Sequence, residues 1–408
     1  MPPAVIHAPF SVRGVRLASL PPLALYVHLP WCVRKCPYCD FNSHESRAAV
    51  PEDAYVAALL ADLETALPAV WGRRTHAIFL GGGTPSLFSA RAIDTLLAGI
   101  RARLNLEPGV EITLEANPGT FEADKFRDFA AAGVNRLSIG IQSFDPRHLA
   151  ALGRIHDAGE AHRAVEIARM HFGNFNLDLM YALPDQTLEE AAADVASAVA
   201  AGAPHLSFYH LTLEPNTRFF RHPPRLPDEE TQADIHESVA RLLVGAGYEH
   251  YEISAYARAG RECRHNLNYW RFGDYLGIGA GAHAKISFAD RIVREVRART
   301  PAEYMRRVGD GAQIVERREL ACSELPFEFM MNALRLTDGF PIATFADRTG
   351  VPIAAVHEPL AAAEAKGLIE RDHQRIRPTA LGQRFLNDLL QLFLPDPEAS
   401  RRRGKALQ

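Results

Sequence analysis

Residues 23–39 read LALYVHLPWCVRKCPYC, an apolar run followed by three closely spaced cysteines. The segment 23–29 has the short apolar character of a buried strand, which predicts that the cysteines lie on the loop after it. Cys32, Cys36 and Cys39 would then bring three thiolates into one small volume. Three thiolates suit a [4Fe–4S] cluster whose fourth iron stays open to a ligand that is not protein.

A structural zinc ion is the alternative occupant of such a motif. Zinc in a closed structural site takes four nitrogen or sulfur ligands. His28 or His44 is close enough in sequence to supply the fourth ligand. The spacing of the cysteines alone therefore leaves both metals open.

Strand-like and helix-like segments alternate from residue 23 to about residue 213. The strand-like segments are short, rich in β-branched or aromatic residues and bounded by glycine, proline or asparagine. They are 23–29, 76–82, 110–117, 136–143, 175–183 and 205–213. Alanine-rich segments with helical spacing lie between them, at 54–67, 90–104, 123–132, 160–171 and 188–201. Six such units predict an α/β fold with a parallel sheet curved into a partial (β/α)6 barrel, with ligands at the C-terminal strand ends.

The pattern changes after the proline-rich linker that contains Pro223, Pro224 and Pro227. A helix at 228–243, a strand at 248–256, a glycine-rich turn at 277–283 and a hairpin at 286–296 predict a C-terminal α+β extension. From residue 319, three helices, a hairpin at 367–377 and a last helix to residue 393 predict a winged-helix-like module. Such modules bind DNA or serve packing, and the weak net charge favours packing. The predicted units are an N-terminal extension 1–22, a barrel 23–225, an extension 226–318, a winged-helix-like module 319–395 and a disordered tail 396–408.

The composition excludes several classes of function. With 45 basic and 49 acidic residues the chain has a formal net charge of −4, which predicts no nucleic-acid partner. No apolar run reaches the ~18 residues that span a bilayer. The N-terminus lacks the pattern of a signal peptide, so a cytoplasmic location is predicted. Cys263 and Cys322 stand apart from the triplet, and we interpret them as ordinary thiols in a reducing compartment.

The cysteine segment with its flanks resembles the signature of the radical S-adenosylmethionine (SAM) superfamily, in which the residue before the last cysteine is aromatic, as Tyr38 is. The resemblance implies that SAM chelates the open iron through its amino and carboxylate groups. It also implies further cofactor contacts, most of them at successive strand ends. The predicted cofactor contacts are Tyr26, Gly82, Gly83, Thr84, Glu115, Gln142, Arg154 and Asp178.

The resemblance covers nearly the whole chain and is closest to the oxygen-independent coproporphyrinogen III oxidase group, which includes oxidases and the heme chaperones called HemW. The cysteine motif of the oxidases resembles CxxxCxxCxC, with a fourth cysteine two residues after the third. This chain has Phe41 at that position, as the chaperones do. Residues 263–270 read CRHNLNYW and match the HNxxYW heme-binding motif of the chaperones. The match implies heme contacts from His265, Tyr269 and Trp270, since a neutral imidazole can ligate heme iron and aromatic rings can pack on the macrocycle. The residues alone also allow His265 to cap a turn while the aromatic rings pack in the core.

These observations predict a heme chaperone that binds heme and a SAM-coordinated [4Fe–4S] cluster and passes heme to apo-proteins. The resemblance implies membrane respiratory enzymes as recipients, peripheral contact with the inner face of the membrane and a homodimer. No catalytic residue is assigned, so it stays open whether the protein is an enzyme. One alternative is an oxidase that decarboxylates two propionates of coproporphyrinogen III. Another is a binding module whose cluster serves only structure or dimerisation, and release of 5′-deoxyadenosine from SAM would argue against it.

Overall fold

The computed structural model describes residues 14–46, 48–119 and 125–395 of the 408-residue chain. The predicted N-terminal extension is therefore described from residue 14 onward, and the predicted disordered tail lies outside the described residues. Within these ranges, no helix combines the length and the apolar character that crossing a bilayer requires.

The described strands form one large sheet of twelve, a small sheet of three and an isolated pair. In chain order they are β1 (Leu23–Leu29), β2 (Trp31–Cys32), β3 (His44–Glu45), β4 (Arg74–Gly82), β5 (Asn105–Ala116), β6 (Arg136–Gln142), β7 (Phe175–Tyr181), β8 (His205–His210), β9 (Glu249–Glu252), β10 (Ala255–Ala257), β11 (Asp274–Ile278), β12 (His283–Ser287), β13 (Ile292–Arg297), β14 (Ile314–Glu319), β15 (Phe340–Pro341), β16 (Ile369–Arg371) and β17 (Arg375–Pro378).

Most of the helices connect the strands of the large sheet or build the C-terminal module. Those of the described residues are α1 (Glu52–Val70), α2 (Ala90–Arg101), α3 (Phe126–Ala132), α4 (Pro146–Ala151), α5 (Ala158–His171), α6 (Leu188–Ala200), α7 (Arg218–Arg221), α8 (Glu229–Gly245), α9 (Arg264–Trp270), α10 (Pro301–Gly309), α11 (Leu325–Ala333), α12 (Ile342–Thr349), α13 (His357–Ala365), α14 (Ala380–Arg384) and α15 (Leu386–Gln391). Helices α5 and α6 each begin at a capping box, in which the residue before the helix and the third helical residue each accept the backbone N–H of the other with their side chains.

The predicted partial (β/α)6 barrel is confirmed. Strands β1, β4, β5, β6, β7 and β8 lie side by side in chain order, and each pairs with the next in parallel. Helices cover the outer face, and one continuous apolar core joins them to the sheet. Parallel strands connected through helices place all their C-terminal ends at one end of the barrel.

The large sheet does not stop at residue 225, where the barrel was predicted to end. Strand β11 pairs in parallel with β1, and β12, β13 and β14 continue that side in antiparallel order. On the other side, β10 and β9 follow β8. The predicted boundaries of the units stay a prediction, but the extension adds strands to the barrel sheet rather than building a separate one.

Two local predictions were wrong. The single strand predicted at 248–256 is a pair, β9 and β10, because the chain turns where the Ser254 backbone N–H donates to the carboxylate of Glu252 at 3.2 Å. The single last helix predicted to reach residue 393 is broken into α14 and α15, because Phe385 leaves the helical backbone conformation.

The C-terminal module has the predicted helices and hairpin. Helices α11, α12 and α13 pack around Phe329 and Phe345, and β16 and β17 form the hairpin. Val15 and Leu17, from the predicted N-terminal extension, are buried in the same core. The start of the described chain is thus held by the C-terminal module.

Candidate functional site

A cavity of about 660 Å³ lies inside the barrel. Successive side chains of a strand point to opposite faces, so alternate residues line the cavity while those between them pack outward. On β7, Asn176 and Asp178 face the cavity, whereas Leu177 and Leu179 belong to the apolar core. The residues that β5, β6 and β8 contribute in the same way are Glu115, Arg136, Ser138, Gly140, Gln142, His205, Ser207 and Tyr209.

The cavity has two ends, which we call the mouth and the floor. The mouth is formed by the C-terminal strand ends and the cysteine loop, and the floor by the N-terminal strand ends and helix α9. Strand β6 begins at Arg136 and ends at Gln142. At about 3.3 Å per residue, the two ends of this strand lie about 20 Å apart.

The three predicted metal ligands, Cys32, Cys36 and Cys39, line the mouth as free, partly buried thiols. In the part of the chain that the structure describes, the only three His, Cys, Asp or Glu residues whose ligand atoms all lie within 4.8 Å are Asp145, His148 and Glu190. The cysteine sulfurs are therefore more widely spread than around one zinc ion, where Zn–S bonds of ~2.3 Å bring the sulfurs to about 3.8 Å. This spread favours a cluster.

Neither histidine considered as a fourth zinc ligand lines the cavity that the three cysteines share. The His28 ring accepts from the Tyr26 hydroxyl at 2.9 Å and donates to the Asn42 backbone oxygen at 2.8 Å. Both of its nitrogens are thus engaged, and burial lowers its pKa to about 4. His44 does not line the cavity that the three cysteines share.

A chain of hydrogen bonds joins two of the thiols. The Thr84 hydroxyl donates to Cys32 Sγ at 3.5 Å and accepts from Asn117 Nδ2 at 3.1 Å. Arg154 donates to Asn117 Oδ1 at 2.7 Å and to Cys36 Sγ at 3.6 Å. Burial raises the pKa of Cys32 and of Cys39 and thereby disfavours their thiolate forms. Hydrogen-bond donors aimed at the sulfur and a bound metal ion would act in the opposite direction and favour the thiolates.

The glycine run after β4 lets the backbone approach the cysteine loop. Gly83 donates its N–H to the Leu29 oxygen at 2.9 Å, and a Cβ on Gly83 would lie 2.5 Å from the Trp31 oxygen. Gly82 has φ of 116°, which favours glycine, and a Cβ there would lie 2.4 Å from the His28 ring. Glycine is required at both positions by this packing.

The predicted contacts at the ends of β5, β6 and β7 also meet at the cavity. Glu115 accepts from the Gly82 N–H at 2.9 Å, and Asp178 accepts from the Ser138 hydroxyl at 2.8 Å. Burial raises the pKa of both carboxyls. Gln142 adopts a left-handed φ of 68°, a conformation that non-glycine residues rarely hold outside constrained sites.

The substitution Glu115→Gln is expected to stabilise the cofactor-free protein at alkaline pH. Burial raises the pKa of Glu115 from its ordinary value of 4.5 to about 8. Because the folded-state pKa lies above the unfolded-state pKa, ionisation costs stability as the pH rises from about 4.5 to about 8. The amide avoids this cost, so the free energy of unfolding in urea should rise by about 1–3 kcal/mol at pH 8 and change little at pH 5.

The control for this measurement is Glu107→Gln, on an exposed residue of the same strand. It should leave the unfolding free energy nearly unchanged at both values of pH. A Glu115→Gln protein that gains no stability at pH 8, or gains as much at pH 5, would contradict the raised pKa.

At the floor, a carboxylate from β5 holds the start of helix α9. Glu111 Oε1 accepts from the backbone N–H of Arg264 at 2.9 Å and from that of His265 at 3.4 Å. The Cys263 thiol also donates to it, at 3.7 Å. A carboxylate at a helix N-terminus satisfies otherwise unpaired N–H groups. Glu111 therefore fixes where the CRHNLNYW segment enters the cavity.

The imidazole ring of His265 is buried in the cavity wall and makes no hydrogen bond to the described residues. Its ring stacks on Phe79 at 4.9 Å between centroids, and Tyr269 meets it edge-on at the same distance. Neither ring nitrogen has a partner among the described residues. Burial lowers the pKa of His265 to about 3, so the imidazole is neutral. The sequence left open that His265 caps a turn, but its ring forms no such bond within the described structure.

The C-terminal module reaches the cavity wall at Trp270. The guanidinium of Arg335 lies over the indole, 4.3 Å from the ring centroid. Arg335 also pairs with the buried carboxylate of Glu252 at 3.4 Å. Backbone contacts next to it join Leu336 and Thr337 to the segment around β9. The module thereby supports one side of the cavity.

The structure brings all the predicted cofactor, heme and metal residues to one cavity. They are Tyr26, Cys32, Cys36, Cys39, Gly82, Gly83, Thr84, Glu115, Gln142, Arg154, Asp178, His265, Tyr269 and Trp270. Sequence reasoning did not single out Asn117, Glu111 or Arg136, although alternate polar residues on β5 and β6 were a usable signal. Cys263, interpreted as an ordinary thiol, also lines the cavity.

Comparisons with known proteins agree with this arrangement. The family model of the radical SAM superfamily matches residues 26–197, and that of the HemN C-terminal domain matches residues 322–385. The chain is 50% identical to the heme chaperone HemW of Escherichia coli over 382 residues, covering 93% of this chain and 100% of the relative. It is 48% identical to the Haemophilus influenzae heme chaperone HemW, with coverage of 93% and 100%. Among solved structures, coproporphyrinogen III oxidase (HemN) from Escherichia coli has a TM-score of 0.78 at 23% identity, covering 92% of this chain and 90% of that chain, which shows the shared fold.

Proposed function

The chain belongs to the heme chaperone HemW family, and from this membership we propose that it binds heme in the barrel cavity and transfers it to apo-proteins. The observation that carries the proposal is the buried His265 ring, whose two nitrogens have no hydrogen-bond partner in the described structure. A buried polar group without a partner is costly, and a ligand that uses it offsets the cost. Heme iron is such a ligand, because it binds a neutral imidazole.

The surroundings of His265 support a flat aromatic guest. Phe79 and Tyr269 contact its ring, and Trp270 lies on the cavity wall beside them. A cavity of about 660 Å³ is within the usual range for cofactor-sized ligands. Aromatic side chains give such a guest apolar contact area with little loss of conformational entropy.

The mouth of the cavity fits a cluster with one open iron. We propose that Cys32, Cys36 and Cys39 hold a [4Fe–4S] cluster and that the residues around Glu115 and Arg154 hold SAM. Such a cluster can supply one electron and an iron site that chelates SAM. Thr84 and Arg154 aim donors at two of the sulfurs, and Gly82 and Gly83 let the backbone come close.

We propose apo heme proteins, membrane respiratory enzymes among them, as the recipients. The names of the relatives support heme and a heme-accepting protein as partners. The predicted homodimer, the peripheral membrane contact and the cytoplasmic location accompany this proposal as predictions. The oxidase alternative is not supported at the cysteine loop, where an exposed phenylalanine, Phe41, stands at the position of the fourth cysteine.

The test is an anaerobic heme titration of cluster-reconstituted protein followed in the Soret region. We expect saturation near one heme per chain. The loaded protein, freed of excess heme, should then pass heme to apomyoglobin, measured by the appearance of the myoglobin spectrum. Absence of specific heme binding would overturn the proposal, and decarboxylation of coproporphyrinogen III with SAM and a reductant would then be assayed.

A further inference from the structure

We propose that Arg136 forms a carboxylate-binding subsite at the floor of the cavity and takes a propionate group of bound heme. The inference rests on the proposed function, because it assumes that heme occupies the cavity. It adds an anchor for the charged edge of the porphyrin, distinct from the ligand to its iron.

Arg136 is a buried cation without an ion pair. It begins β6, lines the cavity and is 2% exposed. Its one side-chain hydrogen bond in the described structure goes to Asn174 Oδ1, at 3.0 Å, and its Nε is buried without a partner. Within the described residues no carboxylate lies within ion-pair distance of it. A buried guanidinium in this state is costly unless an anion completes its hydrogen bonds.

The polar groups around Arg136 do not compensate its charge fully. Burial raises the pKa of Asp178, which accepts from Ser138 and Asn176 instead. Burial also raises the pKa of Cys263 to about 12, so that thiol is neutral. Glu111 uses its carboxylate to hold the start of α9. Burial alone would lower the pKa of Arg136, but nearby acidic groups, Glu111 and Asp178 among them, raise it, so the guanidinium stays charged.

The position of Arg136 favours heme over SAM as the source of the carboxylate. Arg136 and His265 both lie at the floor, on either side of Glu111. On one side, Arg136 of β6 pairs with Thr113 of β5, which comes two residues after Glu111. On the other side, Glu111 accepts from the His265 N–H. The cysteines lie at the opposite end of the cavity: Arg154 donates both to Cys36 Sγ and to the Gly140 oxygen, and Gly140 lies four residues along β6 from Arg136, about 13 Å at the rise of a strand. A SAM carboxylate that chelates the open iron is held beside the cysteines at the mouth, away from Arg136. Heme on His265 carries two propionates at one edge of its ring.

The test compares heme with its dimethyl ester, which lacks the carboxylates but keeps the iron and the ring. We measure Soret titrations of both ligands, in the same detergent, with the native protein and with Arg136→Met, Arg136→Lys and Arg127→Met. The native protein should bind heme at least tenfold more tightly than the ester. Arg136→Met should bind heme roughly tenfold to a hundredfold more weakly and lose the preference over the ester. The control, Arg127→Met, changes an exposed arginine paired with Asp128 and should behave as native.

Several outcomes would overturn the inference without touching the proposed function. These are equal binding of heme and ester by the native protein, an unchanged preference in Arg136→Met, or loss of SAM binding with heme affinity intact.

His265→Ala should weaken the binding of both ligands equally in the proposed geometry. If Arg136→Met does not fold, the native comparison and Arg136→Lys decide the matter. A native protein that binds neither ligand would instead contradict the proposed function.

Discussion

Cys36→Ser protein is expected to contain no intact [4Fe–4S] cluster after anaerobic reconstitution. Only three cysteines line the mouth within the described structure, apart from Cys263 at the floor, so no spare thiol can replace the lost one. Cys36 also accepts from Arg154, which belongs to the hydrogen-bond chain that reaches Cys32 through Thr84 and Asn117. A serine hydroxyl is a poor ligand for this soft metal site. Iron and sulfide should fall from about four each per chain to near background.

The matched control for this variant is Cys322→Ser. Cys322 is partly buried against the core of the C-terminal module and does not line the cavity. Its replacement should leave the iron content, the sulfide content and the absorbance near 400 nm at native values. A full cluster in Cys36→Ser would count decisively against the ligand assignment, and equal losses in both variants would point to misfolding instead.

Local patterns were sufficient to predict the cysteine loop and the parallel strands. A strand such as β1 is buried along almost its whole length and therefore reads as a nearly continuous apolar run. The loop after it carries the three cysteines at fixed short spacings, so the placement of Cys32, Cys36 and Cys39 depends on little besides the neighbouring backbone. These features need no knowledge of distant contacts.

The floor of the cavity could not be predicted in this way, because its contacts join distant segments. Glu111 binds a helix that begins 153 residues later, and Arg335 reaches Trp270 from another module. The alternation of polar residues along β6 indicates which side chains share a face. It does not indicate that Arg136 is left without an ion pair, since that depends on side chains from β5, from β7 and from the segment before α9. The continuation of the sheet through β11 likewise depends on a pairing with β1 across more than two hundred residues.

His265→Ala is expected to abolish the specific Soret band of the heme complex and to weaken heme binding strongly. The loss should be at least the roughly tenfold to hundredfold that follows removal of a group that merely supports a metal ligand. The ring makes no hydrogen bond in the described structure, so its removal leaves no polar partner unsatisfied. The fold should therefore persist, with circular dichroism of native shape.

Imidazole added in solution distinguishes a lost ligand from a damaged cavity. The substitution leaves space between Phe79 and Tyr269, where free imidazole can stack and present a neutral nitrogen to the iron. Added imidazole should therefore restore a six-coordinate Soret spectrum and part of the heme affinity in His265→Ala. The control is His250→Ala, which removes a histidine that stacks on Tyr256 outside the cavity lining. Native affinity in His265→Ala without imidazole would show that another residue ligates the iron, and weak binding that imidazole does not rescue would mean that His265 acts through packing alone.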